Sequence, residues 1–219
     1  MNKHTLSATL LLSALLTACG ATGTLQDSSG AACDTTTERN FPTPLLYSVR
    51  YSGLKVTEDE NVRCLLESGA DPNAARKKDG WTPLMLAAFS GYTGATRLLL
   101  AHGAHVDATN IRGITALQLA AGQGHTDIVR LLLDKGANPN IAGTGGETPL
   151  RAAAFFCHTD AVRLLLEKGA NPNATDINGD TALSLATKRG RAATKEGLTA
   201  HANDCKSTIT MLRAAGAKK

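Results

Sequence analysis

The amino-acid sequence repeats itself every 33 residues along most of its 219 positions. The phrase RLLLDKGANPN begins at Arg130, and RLLLEKGANPN begins one interval later at Arg163. Threonines that open a common pattern stand at the same interval, namely Thr82, Thr115, Thr148 and Thr181. A fixed period of about 20 to 50 residues indicates stacked units, each too small to cover its own apolar face. The period therefore predicts a solenoid.

Each unit reads as two short helices. Thr148 is a favourable N-cap because its side-chain oxygen accepts a bond from a free backbone amide, and Pro149 has no amide hydrogen to leave unpaired. Leu150 and the alanines after it form a narrow apolar stripe on the first helix. The run AVRLLL at 161–166 supplies the second helix, and Gly169 fits the left-handed turn that ends it.

The letters T-P-L, A-A, L-L-L and G-A at this period resemble the ankyrin repeat, over residues 41–217. The resemblance implies an all-α solenoid of helix–turn–helix units joined by β-hairpin-like loops, with about five repeats and irregular end caps. The expected parts are an N-terminal capping repeat, three central repeats and a C-terminal capping repeat, at 41–75, 76–175 and 176–219. We expect an insertion at 191–204 in the last repeat, before a weak second helix that opens at Cys205.

This sequence departs from the family at the position after T-P-L, where the usual His is absent. The residues found there are Leu46, Met85, Gln118, Arg151 and Ser184. The resemblance therefore does not extend to the hydrogen bonds that this His makes between neighbouring units.

The N-terminus predicts export. Residues 1–18 hold Lys3, a short apolar run and small residues, which is the layout of a signal peptide and too short to span a membrane. The letters LTAC at Leu16–Cys19 resemble the lipobox of bacterial lipoproteins, in which the cysteine is acylated; an ordinary signal peptide is the alternative. Gly20, by resemblance to enterobacterial lipoproteins, favours the outer membrane, facing the periplasm. Residues 19–40 are small and polar, which indicates a lipidated flexible tether.

Four further cysteines suggest disulfides, because their even number fits an exported protein; they are Cys33, Cys64, Cys157 and Cys205. We favour Cys157–Cys205, since Cys157 stands at the turn register of Gly91, Gly124 and Gly190 and Cys205 follows the insertion. Cys33–Cys64 is then the remaining pair, although Cys64 aligns with Leu164 and a buried free thiol is the alternative. The four are too scattered for a zinc site, and we expect no metal or cofactor.

Catalysis and nucleic-acid binding find little support. The chain from Cys19 keeps 22 basic and 19 acidic residues, and this net charge of +3 is mild for a nucleic-acid partner. The His/Asp pairs in GHTD (124–127) and CHTD (157–160) recur at one register, whereas an active site is usually made once, so we assign them a structural role. The enzyme alternative rests on a loose group of His201, Asp204 and Cys205 in and beside the insertion.

Proteins of this family bind partners with their loop tips and first helices, which line a concave face. Large apolar residues and arginines at those registers are typical interface anchors. We predict partner binding by Trp81, Met85, Phe89, Ile111, Arg112, Ile114, Gln118, Glu147, Arg151 and Phe155. For Phe155 and Trp81 the alternative is packing inside the stack.

These features predict a monomeric, non-catalytic lipoprotein that binds a protein partner in the bacterial periplasm. The partner is unnamed by the sequence and is expected to be a periplasmic enzyme or a secreted toxin. An immunity protein that neutralises a periplasm-acting toxin, such as a secreted phospholipase effector, is the sharper alternative. A structural tether of the envelope is the third class.

Overall fold

The computed structural model describes residues 24–26, 32–34 and 58–218, with side chains from residue 59 onward. Two short antiparallel strands, β1 (Thr24–Gln26) and β2 (Ala32–Asp34), place Leu25 opposite Cys33. In the described part of the chain the helices are α1 (Glu58–Glu67), α2 (Pro83–Ser90), α3 (Thr93–Ala101), α4 (Ala116–Gln123), α5 (Thr126–Asp134), α6 (Pro149–Phe155), α7 (Thr159–Glu167), α8 (Ala182–Lys195) and α9 (Thr199–Ala214).

Several expectations fall on other parts of the chain. The signal peptide at 1–18, the lipobox Leu16–Cys19 and the first helix of the N-terminal capping repeat lie outside the described residues. The strands β1 and β2 fall in the segment predicted as a tether. No helix among the described residues has the length and apolar character needed to cross a bilayer.

The predicted helix starts are confirmed. The hydroxyl oxygen of Thr82 accepts the backbone N–H of Met85 at 3.3 Å, and Thr148 accepts that of Arg151 at the same distance. At Thr115 the side chain of Gln118 also reaches back to the backbone N–H of Thr115, at 2.6 Å, which completes a capping box. The repeated threonine therefore begins one helix in each layer.

The helices stack in two rows. The first helices α2, α4, α6 and α8 lie side by side, as do the second helices α3, α5, α7 and α9. Four leucines that stand one period apart, Leu84, Leu117, Leu150 and Leu183, are buried in one continuous core that runs through the units. The all-α repeat solenoid predicted from the period is confirmed.

The loops between units close as narrow hairpins. The backbone N–H of Asn110 donates to the carbonyl of Ile114 at 3.1 Å, and Gly143 donates to Glu147 at 2.9 Å in the same way. A left-handed glycine makes the turn inside each loop, with φ of 70° at Gly113. These hairpins bring the residues before each T-P-L motif to one edge of the stack.

The insertion in the last unit is helical, which corrects the expectation that it precedes a second helix opening at Cys205. Helix α8 has 14 residues and α9 has 16, so residues 191–204 lengthen both helices instead of separating them. Cys205 consequently lies in the middle of α9, and Gly190 lies inside α8. The left-handed turn falls at Gly197, with φ of 74°. Four alanines and no proline within the insertion favour this outcome.

The predicted disulfide between Cys157 and Cys205 is confirmed, with Cα atoms 4.7 Å apart. Cys157 has a left-handed φ of 59° at the register where earlier units have Gly91 and Gly124, a conformation that a side chain disfavours. The bond closes a separation of 48 residues, and in a chain-entropy estimate such a loop contributes roughly 4 kcal/mol. Cys64 is also disulfide-bonded, but the side chain of its predicted partner Cys33 lies outside the described residues.

The second asparagine of the repeated ANPN sequence recurs because its side chain bonds to the next unit. The side-chain amide of Asn140 donates to the carbonyl of Gly169 at 3.0 Å, and its oxygen accepts the N–H of Asn171 at 2.7 Å. Asn73 and Asn173 make the same pair of bonds to the units that follow them. One amide side chain thus joins each of these three units to the unit that follows it.

Asp107 takes this register in the second unit and can complete only half of the pattern. Its carboxylate accepts the N–H of Asn138 at 3.0 Å, but it has no N–H to offer the carbonyl of Gly136. One bond between these two units is therefore missing.

Asp107→Asn is expected to raise the free energy of unfolding by about 0.5–1 kcal/mol, because the new amide donates the missing bond from an exposed site. The matched control is Asn140→Asp, which removes the same donor and should lower stability by a similar amount. Urea unfolding followed by circular dichroism measures both. Shifts of the same sign in the two variants would contradict this account of the phrase.

Candidate functional site

We call one surface of the stack the front face. It consists of the loop tips at 76–81, 110–114, 143–147 and 176–180 with the exposed side chains of the first helices. Backbone bonds tie its tips together: Ile111 N–H donates to the Asp79 carbonyl at 3.2 Å, and Thr144 N–H donates to that of Arg112 at 2.9 Å. The tips are thus fixed by main-chain atoms, so that a side chain such as that of Ile111 is not needed to hold them.

The most exposed apolar side chains of the front face stand at these tips. Ile111 is 70 % exposed and Ile177 is 81 % exposed. The backbone N–H of Ile177 bonds to the carbonyl of Gly145 at 3.2 Å, so the residue is held in place although its side chain touches little. Isoleucine in this position contributes nothing to the core, which favours a role in binding.

Trp81 and Phe89 form an aromatic corner at the start of the front face. Their ring centroids lie 5.8 Å apart in an edge-to-face arrangement, and the guanidinium carbon of Arg76 lies 5.7 Å from the Trp81 ring. Arg76 donates two hydrogen bonds to the Asp79 carboxylate, one of them from Nε at 2.7 Å, and these bonds hold the guanidinium near the ring. The same bonds lower the pKa of the Asp79 carboxyl. Trp81 also packs partly on the core, whereas Phe89 is 43 % exposed.

Three predicted binding residues are buried, which corrects their placement on an exposed surface. Met85 is fully buried, and Gln118 and Arg151 are each only 4 % exposed. They follow the T-P-L motif, a register that faces the neighbouring unit, where the family's usual His is absent. The structure therefore gives them to the interior of the stack; Leu46, at the same register, lies outside the described residues.

Gln118 and Arg151 make the bonds between units that the sequence left open. The Gln118 amide donates to the Glu147 carbonyl and, at 3.3 Å, to that of Ile141. Arg151 donates to the Asp176 carboxylate at 2.6 Å and to the Gly146 carbonyl at 2.7 Å. Backbone amides of Asp180 and Asn178, together with Arg151, lower the pKa of Asp176. Different side chains thus do the same joining at one register.

Three other residues predicted to bind a partner differ in the exposure and contacts of their side chains. Arg112 is exposed, and its guanidinium makes no hydrogen bond or ion pair within the ranges that the structure describes. Ile114 is half-buried. Glu147 bends back so that its carboxylate accepts the N–H of Gly145 at 3.0 Å, which stiffens its own tip.

Phe155 lies on the surface rather than inside the stack. It and Phe156 are each 43 % exposed, and their rings meet edge to face with centroids 4.8 Å apart. Gly122 has the same register as Phe89 and Phe155 in the unit between them, so no side chain separates the two aromatic positions there. Sequence reasoning missed Gly122. The signal was its position one period from each phenylalanine, where a glycine leaves space between the two rings.

The exposed charge of the front face is mostly basic at its N-terminal end. Lys77, Lys78 and Arg112 are exposed there. At the far end Lys188 pairs with the Asp180 carboxylate at 2.7 Å, and this bond lowers the pKa of Asp180. The face therefore combines aromatic and aliphatic groups with exposed cations at one end.

The recurring histidines have the structural role that their repetition predicts. His125 donates from Nε2 to the carbonyl of Phe89 at 3.2 Å, and His158 donates to that of Gly122 at 3.1 Å. A Cβ on Gly124 would lie 2.6 Å from the His158 ring, so the turn glycine leaves room for the next unit's histidine. Burial is the main cause that lowers the pKa of His158.

The residues of the enzyme alternative do not offer a free thiol nucleophile, because the Cys205 sulfur is bonded to Cys157. Asp204 is exposed, and His201 accepts a hydrogen bond from Arg189 at 3.2 Å. Although the sequence suggests that the cysteines are too scattered for a metal, the fold brings Cys157, His201 and Cys205 together.

Comparison with known proteins agrees with this geometry. A family model described as ankyrin repeats, three copies, matches residues 10–110 and 105–176. The chain belongs to the ankyrin-repeat family. Such repeats are usually non-catalytic and point to a protein partner, and the front face is where this ankyrin-repeat chain exposes apolar side chains at its tips.

One curated relative is the glycerophosphocholine phosphodiesterase gde1 of Schizosaccharomyces pombe, with 39 % identity over 63 residues. The shared stretch is 29 % of this chain and spans only 6 % of the relative's length. So short a match carries no information about the activity of the whole relative.

Stability is expected to fall as the pH drops from about 7.5 to about 5.5, with His158 as one cause. Its pKa is lower in the folded chain than the ordinary 6.5, so the unfolded chain binds more protons and acid favours unfolding. His158→Gln, which keeps an N–H donor for Gly122, should lose less stability over this range. Urea unfolding at the two pH values measures it, and equal losses in both proteins would contradict the assignment.

Proposed function

We propose that this protein is a lipid-anchored, non-catalytic ankyrin-repeat protein of the bacterial cell envelope that binds a protein partner through its front face. The observation that carries the proposal is the row of exposed apolar side chains on the front face, chiefly Phe89, Ile111 and Phe155. Isolated surface hydrophobes are ordinary, but aromatic and aliphatic groups gathered on one face, with Arg112 and Lys78 beside them, fit a protein interface.

The location in the periplasm, at the outer membrane, rests on two further observations. The letters of Leu16–Cys19 resemble a lipobox, and Gly20 follows. The disulfide Cys157–Cys205, together with a disulfide-bonded Cys64, suits an oxidising compartment, since the bacterial cytosol keeps thiols reduced. A lipid on Cys19 would hold the ankyrin stack near the membrane while its front face remains accessible.

The sharper form of the proposal is an immunity protein that neutralises a toxin acting in the periplasm, such as a secreted phospholipase effector. It uses the same front face and differs only in the identity of the partner. The two forms separate once the partner is known, because an immunity protein inhibits the enzyme that it binds.

Binding is tested by affinity capture from extracts of the cell envelope, followed by titration calorimetry with the captured partner. The combined variant Phe89→Ala, Ile111→Ala and Phe155→Ala is expected to lose capture with little change in melting temperature, because these side chains are exposed. Each anchor contributes about 1 kcal/mol or more at an interface, so three removals weaken binding by roughly 100-fold or more. Trp81 is a poorer choice, since it also packs on the core.

Leu198→Ala is the matched control, because Leu198 is an exposed apolar residue in the turn before α9, outside the front face. Its capture should equal that of the wild type. If the triple variant still binds like the control, the front face is not the binding surface.

Lipidation has a separate test. Cells supplied with a labelled fatty acid are expected to label the protein and to retain it in the outer-membrane fraction, whereas Cys19→Ser should abolish both because the acylated sulfur is gone. A variant that keeps the label would contradict the lipobox. Cys33→Ser serves as the comparison, since it also lies near the N-terminus and should leave labelling unchanged.

A further inference from the structure

The junction between the last two units gathers three side chains that can bind a metal. Cys157 comes from the turn after α6, while His201 and Cys205 stand one turn apart on α9 and so share a face of that helix. The potential ligand atoms of the three all lie within 4.8 Å of one another. Both cysteines are buried and His201 is half-buried, so the group is shielded from bulk water on most sides.

We propose that reduction of the Cys157–Cys205 disulfide creates a zinc site in which the two thiolates and the His201 imidazole bind one Zn²⁺ ion. Two sulfurs and one imidazole nitrogen are a known ligand set for tetrahedral zinc, with a fourth position open to water. Bonds of about 2.3 Å to sulfur and about 2.0 Å to nitrogen place neighbouring ligand atoms about 3.5–3.8 Å apart, which lies within their present spread.

The local charges are compatible with the ion. Two thiolates balance the charge of Zn²⁺. In the disulfide form Arg189 Nε donates to His201 Nε2 at 3.2 Å, and zinc binding must displace this bond, because an imidazole that accepts at Nε2 carries its proton on Nδ1 and has no lone pair left for the metal. The hydroxyl of Thr159 donates to the backbone carbonyl of Asp204 at 3.2 Å, which holds α9 against the preceding unit without the disulfide. The ligands therefore remain close together when the sulfur–sulfur bond is broken.

The electron balance requires a reductant. A phosphine takes up oxygen from water to become the phosphine oxide, while the disulfide gains two electrons and two protons and becomes two thiols. In a cell, a protein dithiol does the same by exchange and is itself oxidised to a disulfide. Binding of Zn²⁺ then releases both thiol protons, so the metal replaces the covalent link between the fourth and fifth units.

The full chain, reduced with a phosphine under argon, is titrated with Co²⁺ as a coloured substitute for zinc. One equivalent should produce a thiolate-to-cobalt band in the near ultraviolet with the visible bands of tetrahedral cobalt, and Zn²⁺ should then remove them. Cys157→Ser and Cys205→Ser should lose the near-ultraviolet band. His201→Gln should weaken metal binding by more than the roughly 10- to 100-fold that loss of an outer-shell partner costs.

Cys64→Ser is the matched control. Cys64 is likewise buried and disulfide-bonded, but it belongs to no group of potential metal ligands within the described residues. This variant should keep both the cobalt bands and the affinity. Loss of the bands in Cys64→Ser, or an unchanged affinity in His201→Gln, would place the metal elsewhere and overturn the proposal.

Thermal unfolding gives an independent readout that does not depend on colour. Zn²⁺ should raise the melting temperature of the reduced wild type and of Cys64→Ser, with little effect on reduced His201→Gln or on the oxidised chain. A reduced wild type that gains no stability from Zn²⁺, or that stays unfolded in its presence, would also overturn the proposal.

Discussion

The sharing of one apolar interior among stacked units is the constraint on which the rest of this structure depends. Leu117 or Leu150 is buried only because the neighbouring units cover it, and a single pair of short helices has no other way to hide such residues. Each joint must then be made again in every layer. The amide of Asn140 and the imidazole of His158 both bond to the backbone of another unit, which is why their letters recur.

The same constraint decides which positions are free for function. A register that faces the next unit becomes part of the joint, whatever side chain stands there, and so Gln118 and Arg151 bond between units instead of facing solvent. Side chains at the loop tips are not needed to join the units. At Ile111 the backbone N–H makes the bond to the neighbouring tip, and the side chain stays exposed. The candidate binding surface is therefore made of residues that the stack does not use.

The last unit departs from the repeat pattern in its helix lengths and in how it is joined to the unit before it. Its two helices are longer than those before it, and Cys157 replaces a turn glycine at a left-handed φ so that it can reach Cys205 across the joint. The histidine that would fill the turn of the preceding unit is absent there. A covalent bond between the units takes its place, and it brings His201 beside two sulfurs.

The sequence by itself determined the period, the helix starts at the repeated threonines and the shared core, because these follow from local backbone preferences repeated at fixed spacing. It favoured the pairing of Cys157 with Cys205 without deciding it. Only the tertiary structure decided that Met85 is buried while Phe155 is exposed, since both are apolar and their burial depends on the neighbouring unit. It also decided that the insertion continues α8 and α9, and that Cys157 lies beside both His201 and Cys205. Such proximity arises from stacking between units, which spacing along one chain does not contain.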